Sequence, residues 1–171
     1  VYAHQLMSYD SATVPDFVEI AGDFVIVGGR DTPILRILAR EDHSESTIFR
    51  YDMEYLHDEA RLRQDGQRAL LFSYWGFRLY DGEGLLLCEK EIPEADRVYD
   101  QQYSSVSGNL AVLYPDAVRI YSGQDGGLIY EETGLQSVFY AAYGISVLTQ
   151  TGIVQLIDID TAEPIAEAQT S

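Results

Sequence analysis

The sequence predicts an all-β chain made of about four repeated units, each of four antiparallel strands. Three observations carry this expectation. Four segments share one plan: a glycine, a short apolar run, a tight break, then a second run with a polar residue inside it. Those glycines, Gly22, Gly66, Gly108 and Gly144, stand 44, 42 and 36 residues apart, close to the length that four short strands and their turns require. Throughout the chain, β-rich runs alternate with turn residues, and no segment sustains a helical period.

The units span approximately residues 15–52, 60–92, 99–132 and 136–169, within one domain of residues 1–171. In the first unit, strands are expected at 17–20, 24–27, 34–38 and 47–51. The second offers 60–62, 69–72, 77–80 and 85–88, with the turn Asp81-Gly82-Glu83-Gly84 before the last strand. The third offers 103–106, 110–113, 118–121 and 128–131, with a Gly- and Asp-rich turn at 123–127. The fourth offers 138–141, 145–148, 153–157 and 164–168.

The second strand of each unit is more uniformly apolar than the third, as suits a strand covered on both faces. Val25, Val27, Leu70, Phe72, Val112, Leu113, Val147 and Leu148 are therefore the expected core. Arg36, Arg78, Arg119 and Gln155 interrupt the third strands and give them one wetter face. Residues 53–63 could form a helical turn or two, but read better as a long connection.

Residues 77–86 (Phe-Arg-Leu-Tyr-Asp-Gly-Glu-Gly-Leu-Leu) and 118–129 resemble the V-x-V-Y-D-x-x-T-G-K-L-L hairpin of quinoprotein-like and WD40-like β-propellers. Residues 154–165 resemble it too, with Ala162 and Glu163 near where the glycine would fall. The resemblance implies a β-propeller in which each unit is a blade and the first strand of each lines the axis. The Trp-Asp ending of WD40 repeats and the Gly-Trp docking motifs of quinone-dependent dehydrogenases do not occur, so no cofactor is expected. Residues 1–7 read as an outer strand ahead of the first unit, which suggests a segment of a larger propeller. A closed four-bladed ring, or half of a ring completed by another chain as in a homodimer, are the alternatives.

Composition excludes several classes. With 11 Lys+Arg against 28 Asp+Glu, the chain carries a net charge of -17, which disfavours nucleic acid and anionic membrane surfaces. An apolar share of 46% is too high for a disordered acidic tail. No apolar run approaches the roughly 20 residues of a membrane-spanning helix, so membrane insertion is not expected. Cys88 has no second cysteine to pair with, and its apolar surroundings mark it as a small core hydrophobe.

The resemblance also implies a binding rim, built from the between-blade connections and the loops joining second to third strands. Arg30, Asp31, Tyr55, His57, Tyr74, Trp75 and Asp116 are the candidate ligand-binding residues there, with Glu89, Glu91 and Asp100 among the acids around them. Exposed aromatics and carboxylates suit a cationic or sugar-like ligand, or a protein. His4, His43 and His57 lie apart and no metal site is expected; Asp158, Asp160 and the 81–83 turn match no complete calcium loop. Nucleophile elbow and phosphate loop are both missing. The expected function is a non-catalytic binding scaffold of a secreted or cell-envelope protein. The alternatives are part of a propeller enzyme acting on glycans, as lyase or hydrolase, and a purely structural module.

Overall fold

The computed structural model describes residues 17–29, 32–39, 45–50, 59–93, 98–141 and 144–170. They form four four-stranded sheets, each an antiparallel meander in chain order. The first contains β1 (Phe17–Ala21), β2 (Phe24–Gly29), β3 (Thr32–Ala39) and β4 (Glu45–Arg50). The second contains β5 (Glu59–Leu62), β6 (Arg68–Ser73), β7 (Gly76–Asp81) and β8 (Leu86–Glu91). The third contains β9 (Asp100–Tyr103), β10 (Leu110–Leu113), β11 (Ala117–Tyr121) and β12 (Leu128–Thr133). The fourth contains β13 (Leu135–Ala141), β14 (Gly144–Thr149), β15 (Ile153–Ile157) and β16 (Pro164–Gln169). No helix occurs among the described residues.

The arrangement is the all-β one expected, with one displaced strand. β9 lies at Asp100–Tyr103 instead of 103–106. Its Asp-Gln-Gln start has little β preference, whereas Ser104 reverses the chain: its hydroxyl accepts from the amides of Val106 at 3.2 Å and Ser107 at 3.3 Å. Glu89 and Glu91 belong to the outer strand β8, not to a rim connection. Residues 59–62 of the helical-turn candidate are strand, and 53–58 lie outside the described residues, as do 1–7.

In three of the four third strands the polar residue has a specific use. Arg78 stands opposite Glu89 and Arg119 opposite Glu131, with ion pairs of 2.6 and 2.7 Å. Gln155 stands opposite Glu167 and donates to it at 3.1 Å. Directly opposed positions bring side chains within reach, so one repeated register creates one repeated pair.

The core lies between sheets. Ile26 and Ile37 of the first sheet pack with Ala60, Leu62, Ala69, Leu71 and Tyr80 of the second. Leu70, Phe72, Phe77 and Leu79, on the other face of the second sheet, pack with Leu110, Val112, Tyr114 and Ala117 of the third. Ala111, Leu113, Val118 and Ile120 then meet Leu135, Val138, Ile145, Val147 and Ile157 of the fourth. In the two inner sheets, alternation along each strand thus feeds two junctions, which is why β6 and β10 are apolar on both faces. Six of the eight expected core residues are buried; Val25 and Leu148 are half-buried. Both point, by register, to the faces at the two ends of the arc that no other described sheet covers.

Close approach leaves no room for a side chain at the repeated glycines. Gly66 (φ +69°) and Gly108 (φ +78°) hold left-handed turns, and a Cβ would run into Phe24 at the first and Arg63 at the second. Gly144 differs: it opens β14 itself, where a Cβ would strike the Ile157 carbonyl.

Candidate functional site

The turns joining second to third strands share one rim with the connections between sheets. In the second sheet that turn is as short as a hairpin allows. Ser73 pairs with Gly76, leaving Tyr74 and Trp75 outside the ladder. Their side chains are 54% and 56% exposed. Beneath them the backbone is braced on three sides. The Trp75 amide donates to the Ser73 hydroxyl at 3.1 Å. The Trp75 carbonyl accepts from the Ile92 amide at 2.7 Å, which draws the connection after β8 under the turn. Finally, Gln101 of β9 donates its side-chain amide to the Ser73 carbonyl at 2.7 Å. An exposed aromatic pair on a fixed base loses little entropy when it is covered.

In the third sheet, Asp116 sits exposed in the β10–β11 turn, and its carbonyl accepts from Leu135 at 2.8 Å. Behind it, the Arg119 guanidinium lies 4.9 Å from the centre of the buried Tyr114 ring and pairs with Glu131. That cation is therefore committed to structure.

Tyr99 is a rim residue that the sequence reading missed. It is 66% exposed, and its amide donates to the Leu113 carbonyl at 2.6 Å, which places it beside the β10–β11 turn. Its signal was the pair Val98-Tyr99 just before β9, hidden because the strand was expected three residues later. Asp100 is half-buried at the start of β9 and accepts from the Gln101 amide at 2.8 Å. Of the candidate residues, the structure thus puts Tyr74, Trp75 and Asp116 on the rim, while Arg30, Asp31, Tyr55 and His57 lie outside the described residues.

Asp158 and Asp160, weighed above as oxygen ligands, have other work. Asp158 accepts from the amides of Asp160 at 2.6 Å and Thr161 at 3.3 Å, closing the β15–β16 turn. Asp160 accepts from the hydroxyls of Ser104 and, at 2.7 Å, Ser107, both in the β9–β10 turn of the third sheet. Asn109 completes this clamp between sheets. It donates to the carbonyls of Ile159 at 2.8 Å and Asp160 at 3.0 Å, and accepts from Gly123 at 3.0 Å. Among the described residues no group of three His, Cys, Asp or Glu converges as a metal centre. Cys88 is half-buried against the junction of second and third sheets, and burial pushes its thiol above the ordinary cysteine value.

No protein-family model matches the chain, and no curated protein matches it. Its fold does match solved structures. The computationally designed Ika8 protein aligns with a TM-score of 0.54 at 11% identity, over 88% of this chain and 48% of that one. BamB from Moraxella catarrhalis, a β-propeller, aligns with a TM-score of 0.55 at 9% identity, over 91% of this chain and 53% of that one. At such identities the likeness concerns the fold alone: the four sheets are arranged as propeller-like blades. The chain spans about half the length of each of these two structures. No helix among the described residues is long and apolar enough to cross a membrane.

Proposed function

We propose that this chain is a non-catalytic propeller scaffold of a secreted or cell-envelope protein, which binds a ligand or protein partner on the rim carrying Tyr74, Trp75, Tyr99 and Asp116. The braced, exposed Tyr74–Trp75 turn is the observation that carries this reading. Two large side chains held in water at a hairpin tip contribute nothing to the described core, and aromatic side chains are the commonest anchors of binding surfaces. Carboxylates beside them favour ligands with cationic groups or with hydroxyls that donate to oxygen, such as basic peptides and glycans. Aromatic faces stack on both.

Trp75 is the one tryptophan in the sequence, so intrinsic fluorescence reports directly on this rim. Titration with a panel of glycans and basic peptides is expected to shift or quench that emission for at least one class. Tyr74→Ala should weaken the interaction at least tenfold, the loss of an aromatic anchor being worth about 2 kcal/mol, with an unchanged melting temperature. A flat response across the panel, or a ligand indifferent to Tyr74→Ala, would defeat this reading.

A further inference from the structure

The β6–β7 and β10–β11 turns occupy equivalent positions in neighbouring blades. Ser73 pairs with Gly76 and leaves Tyr74 and Trp75 in the first turn. In the second, the Tyr114 amide donates to the Ala117 carbonyl at 2.8 Å and leaves Pro115 and Asp116 outside the ladder. Trp75 and Asp116 are therefore counterparts, an exposed aromatic in one blade and an exposed carboxylate in the next. The connection from β8 to β9 joins these two turns and is pinned at both ends. Ile92 donates to the Trp75 carbonyl at 2.7 Å, and Tyr99 to the Leu113 carbonyl at 2.6 Å, so the exposed Tyr99 ring is held on the same rim. Two further carboxylates belong here. Glu91 stands exposed opposite Gly76, and Asp100 half-buried opposite Leu113. Among the described residues of these two blades, the cation nearest in register is Lys90, opposite Phe77 and one step down β8. Arg78 and Arg119 are held by Glu89 and Glu131. Three carboxylates and three aromatic rings thus share this rim with one ammonium.

We infer that the ligand of this rim is a basic, arginine-bearing segment of a partner protein, lying across the turns of the second and third blades. The inference rests on the rim reading proposed above and narrows it to one chemistry. A guanidinium is planar: its face stacks on an aromatic ring while its edge donates two parallel hydrogen bonds to a carboxylate. Aromatic and acid at equivalent turns supply both surfaces. A neutral sugar also stacks on aromatic rings, yet it would cover the carboxylates without neutralising them, at a cost in desolvation. Extent favours a chain over a small cation. The anchors are divided between two blades, and packed sheets lie about 10 Å apart, more than one guanidinium bridges. Three or so residues of extended chain cover that distance at about 3.3 Å each. The net charge of -17 adds long-range attraction for such a segment and speeds encounter at low salt.

The probes are tetra-arginine, its neutral analogue tetra-citrulline, and maltotetraose, each titrated against Trp75 fluorescence in about 0.05 M salt. Tetra-arginine is expected to shift the emission, and tetra-citrulline to bind at least about tenfold more weakly for want of charged hydrogen bonds. Raising the salt to about 0.5 M should weaken the tetra-arginine complex severalfold. Glu91→Gln and Asp116→Asn should each reduce its affinity about two- to fivefold, the range of an exposed ion pair. Tyr99→Ala should reduce it about fivefold by removing a cation–π partner. Glu83→Gln takes the same charge from the β7–β8 turn, at the opposite end of the strands, and should leave the affinity unchanged. Equal losses from Glu83→Gln and Asp116→Asn would overturn the inference, because net charge alone would then hold the peptide. Equal binding of tetra-citrulline would overturn it as well. A response to maltotetraose alone would overturn the basic partner and keep the rim as a sugar site. Silence from all three probes would overturn the inference, and silence across the wider panel the rim reading with it.

Discussion

At Asp160 a single carboxylate joins the fourth blade to the third by accepting from the hydroxyls of Ser104 and Ser107. Burial pushes this carboxyl up, but the two hydroxyls outweigh it and hold it below the ordinary carboxylate value. A carboxyl that is more acidic folded than unfolded adds stability above its unfolded pKa of about 3.9, and loses it as pH falls through the folded value. Asp160→Ala is therefore expected to cost about 1 kcal/mol at neutral pH, at the low end for charged hydrogen bonds because Asp160 is exposed. The difference from the unsubstituted chain should shrink as pH falls through the folded value. Urea unfolding at neutral pH and near pH 2.5 measures both quantities; a gap unchanged in acid would show that the clamp does not depend on the charge. The sequence displayed both partners, as a Ser-rich turn and an Asp-rich turn, without indicating that they touch. They are more than 50 residues apart, and only the stacking of blades brings them together.

Among the elements, the hairpins between third and outer strands show the repeat most clearly. Gly84 (φ +87°) and Gly126 (φ +71°) occupy the left-handed position of that turn in the second and third blades. In the fourth the same position falls to Ala162 at φ +58°, whose amide donates to the Asp158 carbonyl at 2.8 Å. The resemblance drawn from residues 154–165 already placed the missing glycine at this point. A left-handed residue with a Cβ costs roughly 1–2 kcal/mol, and the greater freedom of unfolded glycine offsets about 0.5–1 of that. Ala162→Gly should thus raise stability by about 0.5 kcal/mol and the melting temperature by about 1–2 °C. An unchanged or lower melting temperature would mean that the packing of Ala162 against the core between third and fourth blades is worth more than the strain.

For the whole molecule, burial is decided by a residue's place in the stack. Val118 and Val154 are the same residue at the same register, yet the first is fully buried between blades and the second is half-buried at the end of the arc. Val118→Asp should remove at least 4 kcal/mol by leaving an unpaired charge in the core, and so yield little soluble folded protein. Val154→Asp should stay folded within about 1 kcal/mol of the parent. Chemical denaturation of the two variants makes the comparison. Equal losses would show that the fourth blade is covered on both faces.

The sequence by itself determined what is periodic. Strand alternation, apolar runs, turn glycines and the polar residue of each third strand are local patterns, imposed by the two-residue period of a pleated strand and the backbone needs of a tight turn. Among the described residues they located fifteen of the sixteen strands and missed only the Asp-Gln-Gln start of β9, where contacts outweigh propensity. Of the candidate site, Tyr74, Trp75 and Asp116 were legible because they sit in short turns between recognisable strands, and Tyr99 was not, because its place depends on where β9 begins. The tertiary structure alone decided which faces are buried, which carboxylates become clamps, and that Val25 and Leu148 lie at the ends of an arc. Those outcomes depend on how many blades are stacked and on which side, and a period written within one unit carries no count of its neighbours.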